Sequence, residues 1–291
     1  MKISRVFRVV VYAFNLLLVA SFANAERLEF DEAESFSEGL AAVRIGDRHG
    51  WGFIDKKGKF VIDPQFDDVL NFTEGLARVE SDYKHGYIDK KGDYIILNPQ
   101  FSRGYYFSEG LALVRAGENE YGYIDKKGKF AIDLQFDEAN YFSEGLASVM
   151  VEEKFFFRES KFKWGFIDKK GEFVIDPQFD EAYGFSGGLA AVRIGGIHRW
   201  GFIDKKGDFI IDPQFEDAAG FSEGLARVMV GEKYGFIDKK GKFVIDPQFD
   251  YADNFSEGLA RVAIGEITID ITLEEPKYMF IDKKGKFLQK P

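Results

Sequence analysis

The sequence predicts an all-β fold of seven antiparallel meander repeats, and three observations carry that expectation. The stretch WGFIDKKGKFVIDPQFDDVLNFTEGLARV, from Trp51 to Val79, is rewritten with small edits along the chain. Its aromatic start recurs at Trp51, His85, Tyr121, Trp164, Trp200, Tyr234 and Tyr278, at steps of 34, 36, 43, 36, 34 and 44 residues. Periods in this range mark solenoids, propellers and arrays. Third, Leu28 to Val43 matches the back half of a repeat and Tyr278 to Leu288 a front half, so two partial units add to a seventh.

Within a unit, Trp51-Gly52-Phe53-Ile54-Asp55 has the two-residue period of a strand. Asp55-Lys56-Lys57-Gly58 fits a hairpin in which Asp opens a type I turn and Gly takes the left-handed position. Phe60-Val61-Ile62 is an unbroken apolar run, which predicts a strand covered on both faces. Asp63-Pro64 is expected to end it, because Pro offers no N–H to a ladder, and Gln65-Phe66 to form a brief further strand. Leu76 to Val79 is another short strand, approached through Phe72-Thr73-Glu74-Gly75 with Gly at positive φ. The Gly beside each ring is expected to leave room for an aromatic lying across the backbone.

One unit buries too few large side chains to offset its own ordering cost, so neighbours must share a core. A propeller-like closed ring, fastened where the terminal halves complete one another, is the favoured architecture. An open β-solenoid is the alternative, although neither end carries the polar unit that usually caps one.

Met1 to Ala25 reads as a secretory signal: Lys2, Arg5 and Arg8 precede the apolar stretch Val9 to Phe22 and the small-x-small site Ala23-Asn24-Ala25. Cleavage after Ala25 would leave 26–291 as one repeat domain, secreted or periplasmic, with no membrane span. The chain has no cysteine, so packing alone must stabilise it in an oxidising compartment. Its formal charge is −10, and a balance of that sign argues against nucleic acid and anionic membrane surfaces as partners.

Catalytic patterns are thin. His49, His85 and His198 lack metal-ligand spacing, and no cofactor is expected. Asp67-Asp68, Asp137-Glu138, Asp180-Glu181 and Glu216-Asp217 read as solvated turns, and the recurring Ser of the Phe-Ser-Glu-Gly turn reads as a hydroxyl satisfying backbone. If the strands form a meander, the Asp-Lys-Lys-Gly turns share a rim with the Phe-Ser-Glu-Gly turns, their lysines facing Glu38, Glu74, Glu109, Glu144, Glu223 and Glu257. The opposite rim gathers the loops that differ between units, which is where repeat proteins usually bind. Candidate partner contacts there are Phe155, Phe156, Phe157 and Arg158 in one long loop, Ile267 and Ile269 in another, and His49 and His198 in shorter ones. The alternative for both long loops is that they lengthen their strands.

Laid out this way, the chain resembles the WG-repeat family of bacterial secreted and envelope proteins. The resemblance rests on Trp51-Gly52, Trp164-Gly165 and Trp200-Gly201, on Pro64, Pro177, Pro213 and Pro247, and on Glu-Gly-Leu-Ala from Glu38 to Ala41 and later. It implies β-rich repeats and no common catalytic residues. The expected function is a non-enzymatic, monomeric binding scaffold for a protein or an envelope glycan. A passive surface module and a carboxylate-dependent carbohydrate enzyme are the alternatives.

Overall fold

The computed structural model describes residues 29–46, 50–81, 84–97, 101–153, 161–195, 199–265 and 278–288. Seven antiparallel sheets follow one another, each built from consecutive strands. Sheet 1 holds Glu32–Ala33, Leu40–Arg44, Trp51–Asp55 and Phe60–Phe66, and sheet 2 holds Asp68–Val69, Ala77–Ser81, Lys84–Ile88 and Tyr94–Leu97. Sheet 3 holds Arg103–Ser108, Leu111–Ala116, Glu120–Asp125 and Phe130–Phe136. Sheet 4 holds Glu138–Ala139, Ala147–Glu153, Lys161–Ile167 and Phe173–Phe179. Sheets 5 and 6 repeat the plan over residues 181–215 and 217–249, and sheet 7 has Tyr251–Ala252, Leu259–Ala263 and Tyr278–Asp282.

The phase differs from the sequence repeat. In sheets 1, 2, 4, 5 and 6 the short first strand comes from the acidic pair after a Phe, and sheets 3 and 7 open on Arg103–Ser108 and Tyr251–Ala252, so every sheet joins the back of one sequence unit to the front of the next. Glu32–Ala33 pairs with Leu40–Arg44 in its own sheet. At the far end, the Leu288 N–H donates to Phe280 O, also within its own sheet. Leu28 lies outside the described residues, as does the secretory signal, and no strand pairing joins sheets 1 and 7 among those described.

The Asp-Lys-Lys-Gly turn forms as expected. Asp55 O accepts from Gly58 N at 2.9 Å, Asp55 Oδ1 accepts from Lys57 N at 2.8 Å and Lys59 N at 3.0 Å, and Gly58 has φ 79°. These bonds place the carboxyl of Asp55 below its ordinary range.

The fourth strand departs from expectation. It runs through Asp63-Pro64 to Phe66, and only Ile62 and Phe66 are buried while Val61 is exposed. Its one covered face shows in the period of two; the outward positions simply carry β-branched residues. Pro64 is tolerated because it sits in a bulge of an edge strand. Trp51 pairs with Phe66 and Phe53 with Ile62, so three residues bow out opposite Gly52 alone. The glycine is therefore required by backbone: a Cβ there would lie 2.6 Å from Ile62 O and 2.7 Å from Pro64 N. Among the described glycines equivalent to Gly52, a ring comes this near at Gly86, with Tyr94 Cε1 at 2.9 Å.

Six apolar cores lie between successive sheets, each drawing on two of them. In every one an edge-to-face ring pair marks the centre: Phe53–Phe72, Tyr87–Phe107, Tyr123–Phe142, Phe166–Phe185, Phe202–Phe221 and Phe236–Phe255, with centroids 4.7–5.1 Å apart. Polar contacts repeat with them. Ser37 Oγ donates to Phe72 O at 2.6 Å, and Ser108, Ser143, Ser186 and Ser222 do the same one sheet onward, so these hydroxyls satisfy the neighbour's backbone, not their own turn's. Glu38 accepts from Gly75 N at 3.1 Å and meets Lys90 Nζ at 3.1 Å. Glu74, Glu109, Glu144 and Glu223 make the same contacts to Lys126, Lys169, Lys205 and Lys283, which is the charge compensation expected of that rim.

Candidate functional site

The loop-bearing end of each sheet carries a row of chemistry across three strands. Alternation on the short strand turns its second residue (Val69, Ala139, Ala182, Ala218, Ala252) into the core, which leaves its first residue on the opposite face. In sheet 5, Glu181 stands beside Arg193, and Arg193 beside Trp200. In sheet 4, Glu138 stands beside Met150, and Met150 beside Trp164. Acid, long side chain and aromatic thus line up although they are far apart in sequence.

Between sheets 4 and 5 lies an open cavity of about 300 Å³, lined by Glu138, Asn140 and Trp164 of sheet 4 and by the edge stretch Glu181-Ala182-Tyr183 of sheet 5. Tyr183 lies flat on Trp200, with centroids 5.0 Å apart and planes 6° from parallel. Its hydroxyl stays protonated, because burial and the nearby Asp217 and Glu181 carboxylates push its pKa up. Glu181 is ion-paired with Arg193, and Asn140 Nδ2 donates to Ser148 Oγ at 2.9 Å.

Related assemblies recur in other sheets. In sheet 6, Arg227 lies 4.9 Å over the Tyr234 ring, and the Tyr234 hydroxyl is 3.1 Å from Asp217 Oδ2. In sheet 7, Arg261 lies 4.6 Å over Tyr278 and 5.4 Å over Tyr251, and bonds Asp253 at 2.7 Å. Tyr105 and Tyr106 approach Tyr141 between sheets 3 and 4. Rings edged by carboxylates and guanidinium groups suit a ligand with apolar faces and a polar circumference.

All eight residues singled out by the sequence, Phe155, Phe156, Phe157, Arg158, Ile267, Ile269, His49 and His198, lie outside the described residues. The strands beneath the first long loop are nonetheless extended: Glu152 pairs with Phe162 and Glu153 with Lys161. The cavity borders this extended pair through Trp164. Sequence reasoning passed over Glu138, Asn140, Glu181 and Tyr183, because the acidic pairs read as turns. In two of these pairs the first acid instead binds backbone next to the variable loop, Asp137 Oδ2 accepting from Glu152 N at 2.8 Å and Glu216 Oε2 from Glu232 N at 3.1 Å, and Asp250 Oδ2 does the same to Gly265 N at 2.8 Å. The second acid opens the short strand.

Among the described residues no group of three or more His, Cys, Asp or Glu is placed to hold a metal ion. No helix among them is long and apolar enough to cross a membrane.

Likenesses among solved structures are distant. A dihydro-heme d1 dehydrogenase, NirN, is 11% identical with a TM-score of 0.50, over 86% of this chain and 63% of that one. Apo AztD from Citrobacter koseri is 12% identical with a TM-score of 0.48, over 88% and 84%. The β-propeller domain of the trilobed protease from Pyrococcus furiosus, described as having an open velcro topology, is 10% identical with a TM-score of 0.45, over 86% and 94%. No curated protein sequence matches the chain. The profile described as WG containing repeat matches residues 27–48, 51–84, 86–119, 121–155, 164–196, 200–234 and 234–266. With the repeated turn, glycine-backed bulge and six equivalent cores accounted for along nearly the same span, the chain belongs to the WG-repeat family.

Proposed function

We propose that the protein is a non-enzymatic scaffold, secreted or periplasmic, that binds an envelope glycan in the cleft between sheets 4 and 5. The observation that carries this reading is the meeting of the Trp164 ring with Glu138, Asn140, Glu181 and Tyr183 around one cavity. A pyranose has C–H faces that stack on a ring and an equator of hydroxyls that donate to carboxylates and amides, and this mix of aromatic wall and few convergent polar groups is what small-ligand sites use. The address rests on Met1 to Ala25.

Soluble oligosaccharides from cell-envelope polysaccharides, titrated calorimetrically, should bind wild type and lose at least tenfold in affinity on Tyr183→Ala, with the melting temperature little changed. Equal affinity in both proteins would remove the cleft from the reading. The two carboxylates across the cavity also admit glycoside hydrolysis, which uses such pairs. Reducing-end release that disappears in Glu138→Gln would replace binding by catalysis, and silence in both assays would favour a passive surface module.

A further inference from the structure

The two ends of the sheet array are the unpaired halves of the contact that repeats between every pair of sheets. On the side that faces the preceding sheet, Phe72, Phe107, Phe142, Phe185, Phe221 and Phe255 are each at most 3% exposed, whereas their counterpart in sheet 1, Phe36, is 49% exposed. On the side that faces the following sheet, Phe53, Tyr87, Tyr123, Phe166, Phe202 and Phe236 are at most 1% exposed, whereas Phe280 of sheet 7 is 48% exposed. Leu259 is only half-buried, while its six equivalents from Leu40 to Leu225 are buried.

The polar partners are split the same way. Glu257 of sheet 7 holds the position from which Glu223 reaches Gly258 N and Lys283, and it has the same left-handed backbone, φ 53°. Among the described residues, neither its carboxylate, nor the Ser256 hydroxyl, nor the ammonium of Lys56 has a partner. Sheet 1 offers what they lack: Gly39 N, Phe36 O and Lys56 occupy the places of Gly258 N, Phe255 O and Lys283. The receiving face of sheet 1 is also prepared. Ala41, Val43 and Ile54 match Ala77, Val79 and Ile88, and Phe30 packs edge-to-face on Phe60 at 6.4 Å, as Phe66 does on Tyr94.

We propose that sheet 7 of one molecule docks on sheet 1 of a second copy, head to tail, through a seventh instance of this interface. Within one chain the six interfaces share one tightly repeated geometry, and following it from sheet 1 to sheet 7 leaves both end faces open. A heterologous contact that does not close on itself builds open-ended assemblies. This departs from the monomer expected from the sequence.

The test is a charge exchange on the full chain, read by sedimentation over a wide concentration range. Wild type should gain mass with concentration. Glu257→Lys and Lys56→Glu, each alone, should weaken association at least tenfold, since each sets like charges face to face. An equimolar mixture of the two variants should associate again, because every junction between unlike chains is then oppositely charged. Folding is not at stake in these variants: sheet 5 already lacks the glutamate, having Gly187, and still packs on sheet 6. Wild type sedimenting as one chain at every concentration overturns the proposal, and so does association that both single variants leave intact.

Discussion

Glu109 is held at φ 53°, a conformation that costs an L-residue about 1–2 kcal/mol relative to Gly. Its carboxylate offsets that cost by accepting from Gly145 N at 3.0 Å and meeting Lys169 Nζ at 3.2 Å, charge-assisted contacts of the stronger kind. Glu109→Ala keeps the strain and loses the bonds, so it should destabilise by about 2 kcal/mol in urea titration, while Glu109→Gly should cost less. Equal losses would mean that the backbone angle carries no strain. The same contact predicts a pH effect. The Lys283 ammonium, helped by Gly258 N–H, holds the Glu223 carboxyl below its ordinary 4.5. A depressed folded pKa stabilises the protein above the unfolded value, and that contribution is lost as pH falls through the folded one. Wild type should therefore lose stability below about pH 4.5 more steeply than Glu223→Gln. The sequence showed that lysines and glutamates share this rim. It did not show the left-handed Glu, because positive φ was assigned to the glycine alone, and a two-residue turn with both central residues left-handed needs the strand pairing on either side to be recognised.

At the scale of the element, the hairpin turn was legible because Asp, its two lysines and Gly are adjacent and each has a local reason to be there. The fourth strand was not. Val61, Val174, Ile210 and Val244 point outward and are more than 40% exposed, and β-branched residues on an open face erase the alternation that would have shown it. The bulge was equally hidden, since its cause is a close approach between Gly52 and a segment ten residues on. That approach makes a firm prediction: Gly165→Ala would put a Cβ 2.7 Å from Ile175 O and 2.8 Å from Pro177 N, backbone atoms that cannot swing aside. Its cost should be about 2 kcal/mol or more by thermal denaturation. Met279 holds the equivalent place in sheet 7, where the described chain stops at Leu288, before the bulging positions. The site was illegible for a related reason. Glu181 meets Arg193 only through strand pairing, and Glu138 and Trp164 come to the same cavity as Glu181 only through packing of one sheet on the next.

For the molecule as a whole, the six cores that span two sheets each join one sheet to the next, a smaller cluster of Ala41, Val43 and Ile54 lies on sheet 1 alone, and no strand pairing links the first described sheet to the last. Stability in such an array is a sum of sheet terms and nearest-neighbour interfaces, so a sheet with two interfaces is held more firmly than one with a single interface. Sheets 3, 4 and 5 each have two complete cores, while sheet 7 has one core and an exposed Phe280. Native-state hydrogen exchange at low concentration should show protection that is highest in the Lys161–Ile167 and Arg199–Ile203 strands and lowest in Tyr278–Asp282. Substitution should follow the same gradient: Phe202→Ala, at a fully buried ring, should cost about 3–5 kcal/mol, and Phe280→Ala about 1 kcal/mol or less. Should all sheets exchange through a single global opening instead, the end sheets must be coupled as in a closed ring, since only a seventh intramolecular core could give Tyr278–Asp282 the protection of the middle of the chain.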